Sequence, residues 1–207
     1  MRVAITQRVD SYPDRHETRD ALDQRLASFV SAAGLIPLPV PNLLSESSLI
    51  NTWSSKNIDD WLSEIKPDGI ILSGGNNIGE CPERDKIEFK LLDFAFINDM
   101  PLLGICRGMQ MMALSFGGKL EKVDGHVKIR HMLAGEIHAE VNSYHDFSLT
   151  DCPRDFRVLA RSNDGKIEAI RHNILPWEGW MWHPERELSF DDRDINRLRS
   201  LLGFSAT

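Results

Sequence analysis

Two short apolar runs constrain this chain more than any other feature. They are GIIL, inside GIILSGG (69–75), and PLLGIC (101–106). A strand wet on one face alternates apolar and polar residues, whereas a run apolar on both faces belongs inside a parallel sheet covered by helices. Each run leads into a helix-period segment. ERDKIEFKLLDFAFIND places Ile87, Leu91, Phe94 and Ala95 on one face, and RGMQMMALSFGG closes on Gly117 and Gly118. The same alternation begins earlier. VAIT (3–6) reads as a strand, and ETRDALDQRLASFVSAAG as a helix with Leu22, Leu26, Phe29, Val30 and Ala33 on one face and Gly34 as its stop. LIPLPV is a strand whose prolines put it near a sheet edge. A loop with a short helix is expected over 41–57, and IDDWLSEI reads as another short helix.

The second half has a different rhythm. FRVLARS, KIEAIRH and GWMWH are short strands joined by turns at Asp164-Gly165 and Pro176, a more antiparallel pattern. A last helix is expected from about Phe190 to Phe204, with Ser189 and Asp192 as a capping box. The expected fold is therefore α/β, a mostly parallel central sheet flanked by helices with a smaller antiparallel portion. No linker interrupts it, so 1–207 reads as one domain.

Composition excludes some functions. With a formal charge of −7 and 42% hydrophobic residues, the chain suits neither general nucleic-acid binding nor a membrane surface. No window reaches transmembrane length and MRVAITQRVD lacks the apolar core of a signal peptide. The three cysteines, Cys81, Cys106 and Cys152, are odd in number and far apart, which reads as reduced thiols in a cytoplasmic protein.

Cys106 stands where the second apolar run turns into a helix. Gly104-Ile105-Cys106-Arg107-Gly108 has the G-x-nucleophile-x-G spacing of an elbow, which lifts a side chain off the sheet edge onto a helix N-terminus that favours a thiolate. A free cysteine at a strand end is more often a plain buried thiol. WHPERE shifts the balance. His183 ends an apolar segment, and Glu185, two residues on, can return to hold the imidazole. In LSGGNN, Gly74 and Gly75 follow a buried strand, where backbone N–H groups can join that of Arg107 in an oxyanion hole. Taken alone, those glycines are only a turn.

The elbow, HPE and SGG together resemble the class I glutamine amidotransferases, across nearly the whole chain. Within that group AAGLIPLPVP, CRGMQ, VNSYHDF, SNDGKIEAI and MWHPE are similar to the γ-glutamyl hydrolase branch, including γ-glutamyl-γ-aminobutyrate hydrolases. ITQRVD, the short middle region and MWHPERE are similar to compact γ-glutamyl-CDP-amidate hydrolases of capsule assembly. The resemblance implies a flavodoxin-like fold, a Cys106-His183-Glu185 triad, and oxyanion N–H groups from Gly75 and Arg107. It also implies a glutamyl group held by Gln110, Ser143, Tyr144 and His145. No cofactor is implied. The partner is a small γ-glutamyl substrate, with a synthetase added if the chain supplies ammonia to one.

HVKIRH (126–131) lies in an abbreviated connection between the elbow helix and VNSYHDF. By itself it is a solvated basic turn. At a pocket mouth, Lys128 and Arg130 would meet phosphates on a leaving group. Its His-x4-His spacing has no clear third ligand in sequence, so no metal is expected. Trp177, Trp180 and Trp182 read as core.

Overall fold

The computed structural model describes residues 1–45 and 57–203. In chain order the elements are β1 (Arg2–Thr6), β2 (Arg8–Tyr12), β3 (Glu17–Ala21), α1 (Gln24–Ala32), β4 (Ile36–Val40), α2 (Ile58–Ile65), β5 (Gly69–Leu72), α3 (Pro82–Ile97), β6 (Leu102–Ile105) and α4 (Arg107–Ser115). There follow β7 (Leu120–Lys122), β8 (Val127–Gly135), β9 (Ala139–Tyr144), β10 (Phe147–Leu149), β11 (Phe156–Arg161), β12 (Ile167–His172), β13 (Trp177–Trp180) and α5 (Asp192–Leu201). Most of the segment expected to be a loop with a short helix, residues 46–56, lies outside the described residues, as does the end of the last helix at Phe204.

One sheet of nine strands runs in the order β4-β1-β5-β6-β13-β12-β11-β8-β9. From β4 to β13 every neighbour is parallel; from β13 to β9 every neighbour is antiparallel. Counting only the parallel strands, their spatial order is 2-1-3-4-5, the flavodoxin-like arrangement. The fully apolar strands β5 and β6 lie at the centre of this half and have no exposed residue. LIPLPV forms the outer strand β4, where prolines need not donate to a further neighbour.

Three expectations are corrected. The first helix begins at Gln24, not near Glu17, because Asp23 caps it by accepting from Arg25 N at 2.8 Å. Residues 17–21 instead pair with 8–12 as an antiparallel hairpin, tied down by Asp20, which accepts from Asn42 N at 2.8 Å. The last helix is capped by the Asp191 side chain, not by a Ser189–Asp192 box. The strand expected at GWMWH lies earlier, at Trp177–Trp180, and this β13 is antiparallel to β12 but parallel to β6, so it is the seam between the two halves. Trp177, Trp180 and Trp182 are core, and each indole N–H is satisfied: by Met100 O at 2.9 Å, Glu178 at 3.0 Å and Asp194 at 3.0 Å respectively. Among the described residues no helix is long and apolar enough to cross a membrane.

Candidate active site

The elbow is strained as its glycines require. Cys106 has φ 50° and ψ −105°, a left-handed value costly for any residue with a Cβ. Its N–H is anchored to Trp180 O at 2.7 Å. A Cβ on Gly104 would stand 2.6 Å from the Gly108 carbonyl carbon, and one on Gly108 only 2.0 Å from Leu72 O. Helix α4 can start this close to β5 and β6 only because both positions lack a side chain. Cys106 thus caps α4, where the first-turn N–H groups have no intrahelical acceptor.

His183 approaches from the seam. β13 pairs in parallel with β6 in the register Gly179↔Gly104 and Trp180↔Ile105, which brings the residues after each strand to the same sheet edge. His183 Nδ1 lies 2.6 Å from Glu185 Oε1, and the Cys106 sulfur stands close enough to act on the imidazole electrostatically. Burial pushes the imidazole toward neutrality, but the neighbouring Cys106 sulfur and Glu185 carboxylate outweigh it and raise its pKa to about 9. A Cβ on Gly74 would meet the imidazole at 2.6 Å, so this glycine leaves room for the ring. A thiol, an imidazole and a carboxylate thus stand in one buried chain, the order that a nucleophile, its base and an orienting acid would need.

Two supporting sets escape a reading of the sequence. Asn142 clamps the HPE turn, donating to His183 O at 2.7 Å and accepting from His183 N at 3.0 Å. Beneath the Gly74-Gly75 turn, Arg84 donates to Ser73 O at 2.7 Å and Gly74 O at 2.9 Å while pairing with Glu88 at 3.0 Å. Glu88 also binds Thr6 at 3.0 Å and the Arg107 guanidinium, which in turn reaches Asp85. With these two carbonyls turned down onto Arg84, the glycine turn is fixed from below. An Arg and a Glu four apart on a helix look like a solvated pair, yet both are fully buried here. Only the burial marks them, and sequence spacing does not report it.

A cleft of about 320 Å³ opens over this edge. Gly75, Cys106, Arg107, Gln110, Tyr144, His145 and His183 all contribute to its wall. Gln110 is buried and donates to Phe147 O at 3.0 Å. Tyr144 stands edge-on to His183 with ring centres 6.0 Å apart. Ser143 is spent internally, its hydroxyl donating to His126 O at 2.6 Å. His145 directs its ring nitrogens to Phe147 O at 3.1 Å and His126 at 3.3 Å.

Lys128 and Arg130 are not among the residues lining the cleft. Arg130 is held at 3.0 Å by Glu140 and 3.1 Å by Glu187, and Lys128 occupies an exposed bulge of β8 at φ 58°. Of the arginines that line the cleft, Arg107 has its guanidinium buried on Asp85 and Glu88, which leaves Arg8, on the β2–β3 hairpin, and Arg186, stacked 4.7 Å above the Tyr144 ring. Cys81 and Cys152 are free and half-buried, and neither lines the cleft.

Residues 44–199 match the family model described as glutamine amidotransferase class-I. A γ-glutamyl-CDP-amidate hydrolase of Campylobacter jejuni is 30% identical over 204 residues, covering 94% of this chain and 95% of that one. A glutamine-hydrolysing GMP synthase subunit from Methanothrix thermoacetophila is 38% identical over 137 residues, covering 60% of this chain and 70% of that one. A solved structure from Thermoplasma acidophilum, provisionally named as a GMP synthase subunit, superposes with a TM-score of 0.70 at 21% identity over 99% of this chain and 93% of that one. The chain belongs to the class I glutamine amidotransferase family, whose members hydrolyse the C–N bond of a γ-glutamyl amide.

Proposed function

We propose that this enzyme is a free-standing γ-glutamyl amide hydrolase whose leaving group carries phosphate, of the γ-glutamyl-CDP-amidate kind. The observation that carries the proposal is the likeness to the Campylobacter hydrolase, which extends over nearly the full length of both chains. The cations at the cleft support it. Arg8 and Arg186 are partly exposed there, suited to phosphate oxygens beside the scissile nitrogen.

In this reading Cys106 Sγ, as thiolate, attacks the γ-carbonyl carbon. The N–H groups of Gly75 and Arg107 take up the developing oxyanion, and losing one such donor costs on the order of 10²–10³ in kcat. His183, held by Glu185, passes its proton to the departing nitrogen as the C–N bond breaks. A glutamyl thioester remains on Cys106. His183 then takes a proton from water, whose oxygen attacks the thioester and releases glutamate and the thiolate. Gln110 and Tyr144 hold the glutamyl end, with Ser143 and His145 shaping that wall from behind.

A second reading has its own support. The GMP synthase relatives are more identical over the matched region, and a glutaminase of that kind would use the same triad to pass ammonia to a synthetase. A substrate panel separates the two. The purified chain is assayed for glutamate release from glutamine, γ-glutamyl-γ-aminobutyrate and γ-glutamyl-CDP-amidate. The hydrolase reading expects the amidate to have the highest kcat/KM, with Arg8→Ala plus Arg186→Ala lowering that value at least tenfold more than the value for glutamine. Activity on glutamine alone, arising only when a synthetase is added, would sink it.

A further inference from the structure

Behind the glutamyl wall of the cleft lies a second cluster of groups, of which only His145 also lines the cleft. His126, His131, His145 and Glu168 are all buried, and one ligand atom from each lies within 4.8 Å of the others. His126 comes just before β8, His131 from within it, His145 from the β9–β10 turn and Glu168 from β12. Four separate points of the antiparallel half thus converge.

The hydrogen-bond directions are informative. His126 Nε2 faces Asp164 Oδ2 at 2.8 Å, and a carboxylate there accepts, so the ring proton sits on Nε2 and the Nδ1 lone pair points inward. His145 Nδ1 faces Phe147 O at 3.1 Å, so its proton sits on Nδ1 and the Nε2 lone pair points inward. These two lone pairs face each other at 3.3 Å. His131 Nε2 lies 2.9 Å from His126 Nδ1 and can donate one proton there. That leaves His145 Nε2 and the Glu168 carboxylate without a donor. Glu168 is fully buried, and neither of its oxygens has a hydrogen-bond partner among the described residues. A buried carboxylate with no donor is strongly disfavoured unless a cation sits beside it.

The spacing fits a metal better than a proton. Two ligands 2.0–2.1 Å from a tetrahedral centre stand about 3.4 Å apart. Five of the six separations lie near that value, 2.9 and 3.3 Å between ring nitrogens and 3.4, 3.6 and 3.9 Å from Glu168 Oε1 to His145, His126 and His131, and the sixth, between His131 and His145, is within 4.8 Å. Asp164 and the Phe147 carbonyl stand behind two of the imidazoles, as acceptors commonly do behind metal-ligating histidines.

We propose that His126 Nδ1, His131 Nε2, His145 Nε2 and Glu168 Oε1 bind one Zn²⁺ in a closed, four-coordinate structural site. Three imidazoles and one carboxylate are a borderline-soft donor set that suits zinc, and four protein ligands leave no position for a substrate. The site would pin β8 to β12 and brace the turn whose Phe147 carbonyl holds Gln110. It does not depend on which γ-glutamyl amide the enzyme cleaves.

The test uses the full chain, free of any affinity tag and stripped of metal, in a Cys106→Ala background so that the thiol–imidazole pair cannot compete. ZnCl₂ is titrated against a chromophoric chelator, and CoCl₂ is followed by visible absorption. One equivalent of zinc bound at submicromolar Kd, with cobalt(II) bands of a tetrahedral centre, is expected. His131→Ala should weaken zinc binding by roughly 100-fold or more. Asp164→Asn should weaken it by about 10-fold, the range for losing an acceptor behind a ligating histidine. Asp164 is half-exposed, so that variant tests the site even if His131→Ala does not fold. No zinc bound at stoichiometric concentration, an octahedral cobalt spectrum, or affinity unchanged in Asp164→Asn would overturn the proposal.

Discussion

The two halves of the sheet treat histidine differently. In the parallel half, His183 follows a strand end, meets one acid and one sulfur, and is held between them beside the cleft. In the antiparallel half, three imidazoles gather around one carboxylate, with the lone pairs of His126 and His145 directed inward. The difference comes from how each kind of sheet delivers residues. Parallel strands all end at one edge, so loops after β5, β6 and β13 meet there whatever the strand interiors contain. Antiparallel strands meet along their faces, so a cluster there depends on register. Residues five apart on a regular strand point to opposite faces. His126 and His131 reach the same cluster because β8 shifts register between Val127 and Ile129, with Lys128 at φ 58°.

The sharpest break of this comparison is Cys106→Ala. It should lower kcat on the order of 10⁶-fold, as when a nucleophile that acts as a unit with its base is removed. Far-UV circular dichroism and zinc affinity should stay unchanged, since the cluster lies in the other half. Mass spectrometry that traps a glutamyl adduct on Cys81 or Cys152 instead would reassign the nucleophile.

Glycine substitutions compare the packing of the halves. Gly108→Ala drives a Cβ into Leu72 O and should cost at least about 3 kcal/mol in urea unfolding. Gly165→Ala, in the β11–β12 turn, meets nothing within 4 Å and bears only the strain of φ 85°, about 1 kcal/mol. Equal costs would show that α4 is not seated against β5 as tightly as described.

The pH dependence isolates His183. Its pKa is raised in the folded enzyme, so it contributes stability in full below the unfolded value of about 6.5, and that contribution is lost as pH climbs through about 9. The loss should be on the order of 3 kcal/mol, read from unfolding at several pH values, with imidazole NMR locating the titration. Cys106→Ala removes one of the two raising neighbours and should move the titration down. A His183 that titrates near 6.5 in the parent enzyme would show that Cys106 and Glu185 do not outweigh its burial.

The smallest effect belongs to the basic residues of HVKIRH. Arg130 is 44% exposed and already paired with two acids, so Arg130→Ala should change stability by less than about 1 kcal/mol. Together with Lys128→Ala it should leave kcat/KM on the γ-glutamyl amide within about twofold, because neither side chain lines the cleft. A large, substrate-selective loss would return phosphate recognition to this segment.

Much of the first half was legible locally. Strands apolar on both faces, the elbow glycines and the HPE spacing are set by neighbours within a few residues, and they pointed to the parallel core and to Cys106, His183 and Glu185. The hairpin 8–21 was not legible, because ETRDA has a helical phase and only the Asp23 cap and the partner strand exclude it. Nor was the seam, since a strand's two neighbours are chosen by the rest of the sheet.

By itself the sequence determined that Cys106 sits on a tight elbow and that Glu185 can return to His183, because a tight turn and a short side-chain return are local geometry. The tertiary structure alone decided what stands behind them. It buried Arg84 and Glu88 under the glycine turn, clamped His183 with Asn142, and put Arg8 instead of Arg130 at the cleft. It also supplied His145 and Glu168 to a pair of histidines that lacked a third ligand in sequence. Those placements depend on strand order and on one bulge in β8, and contacts between residues far apart in sequence fix both.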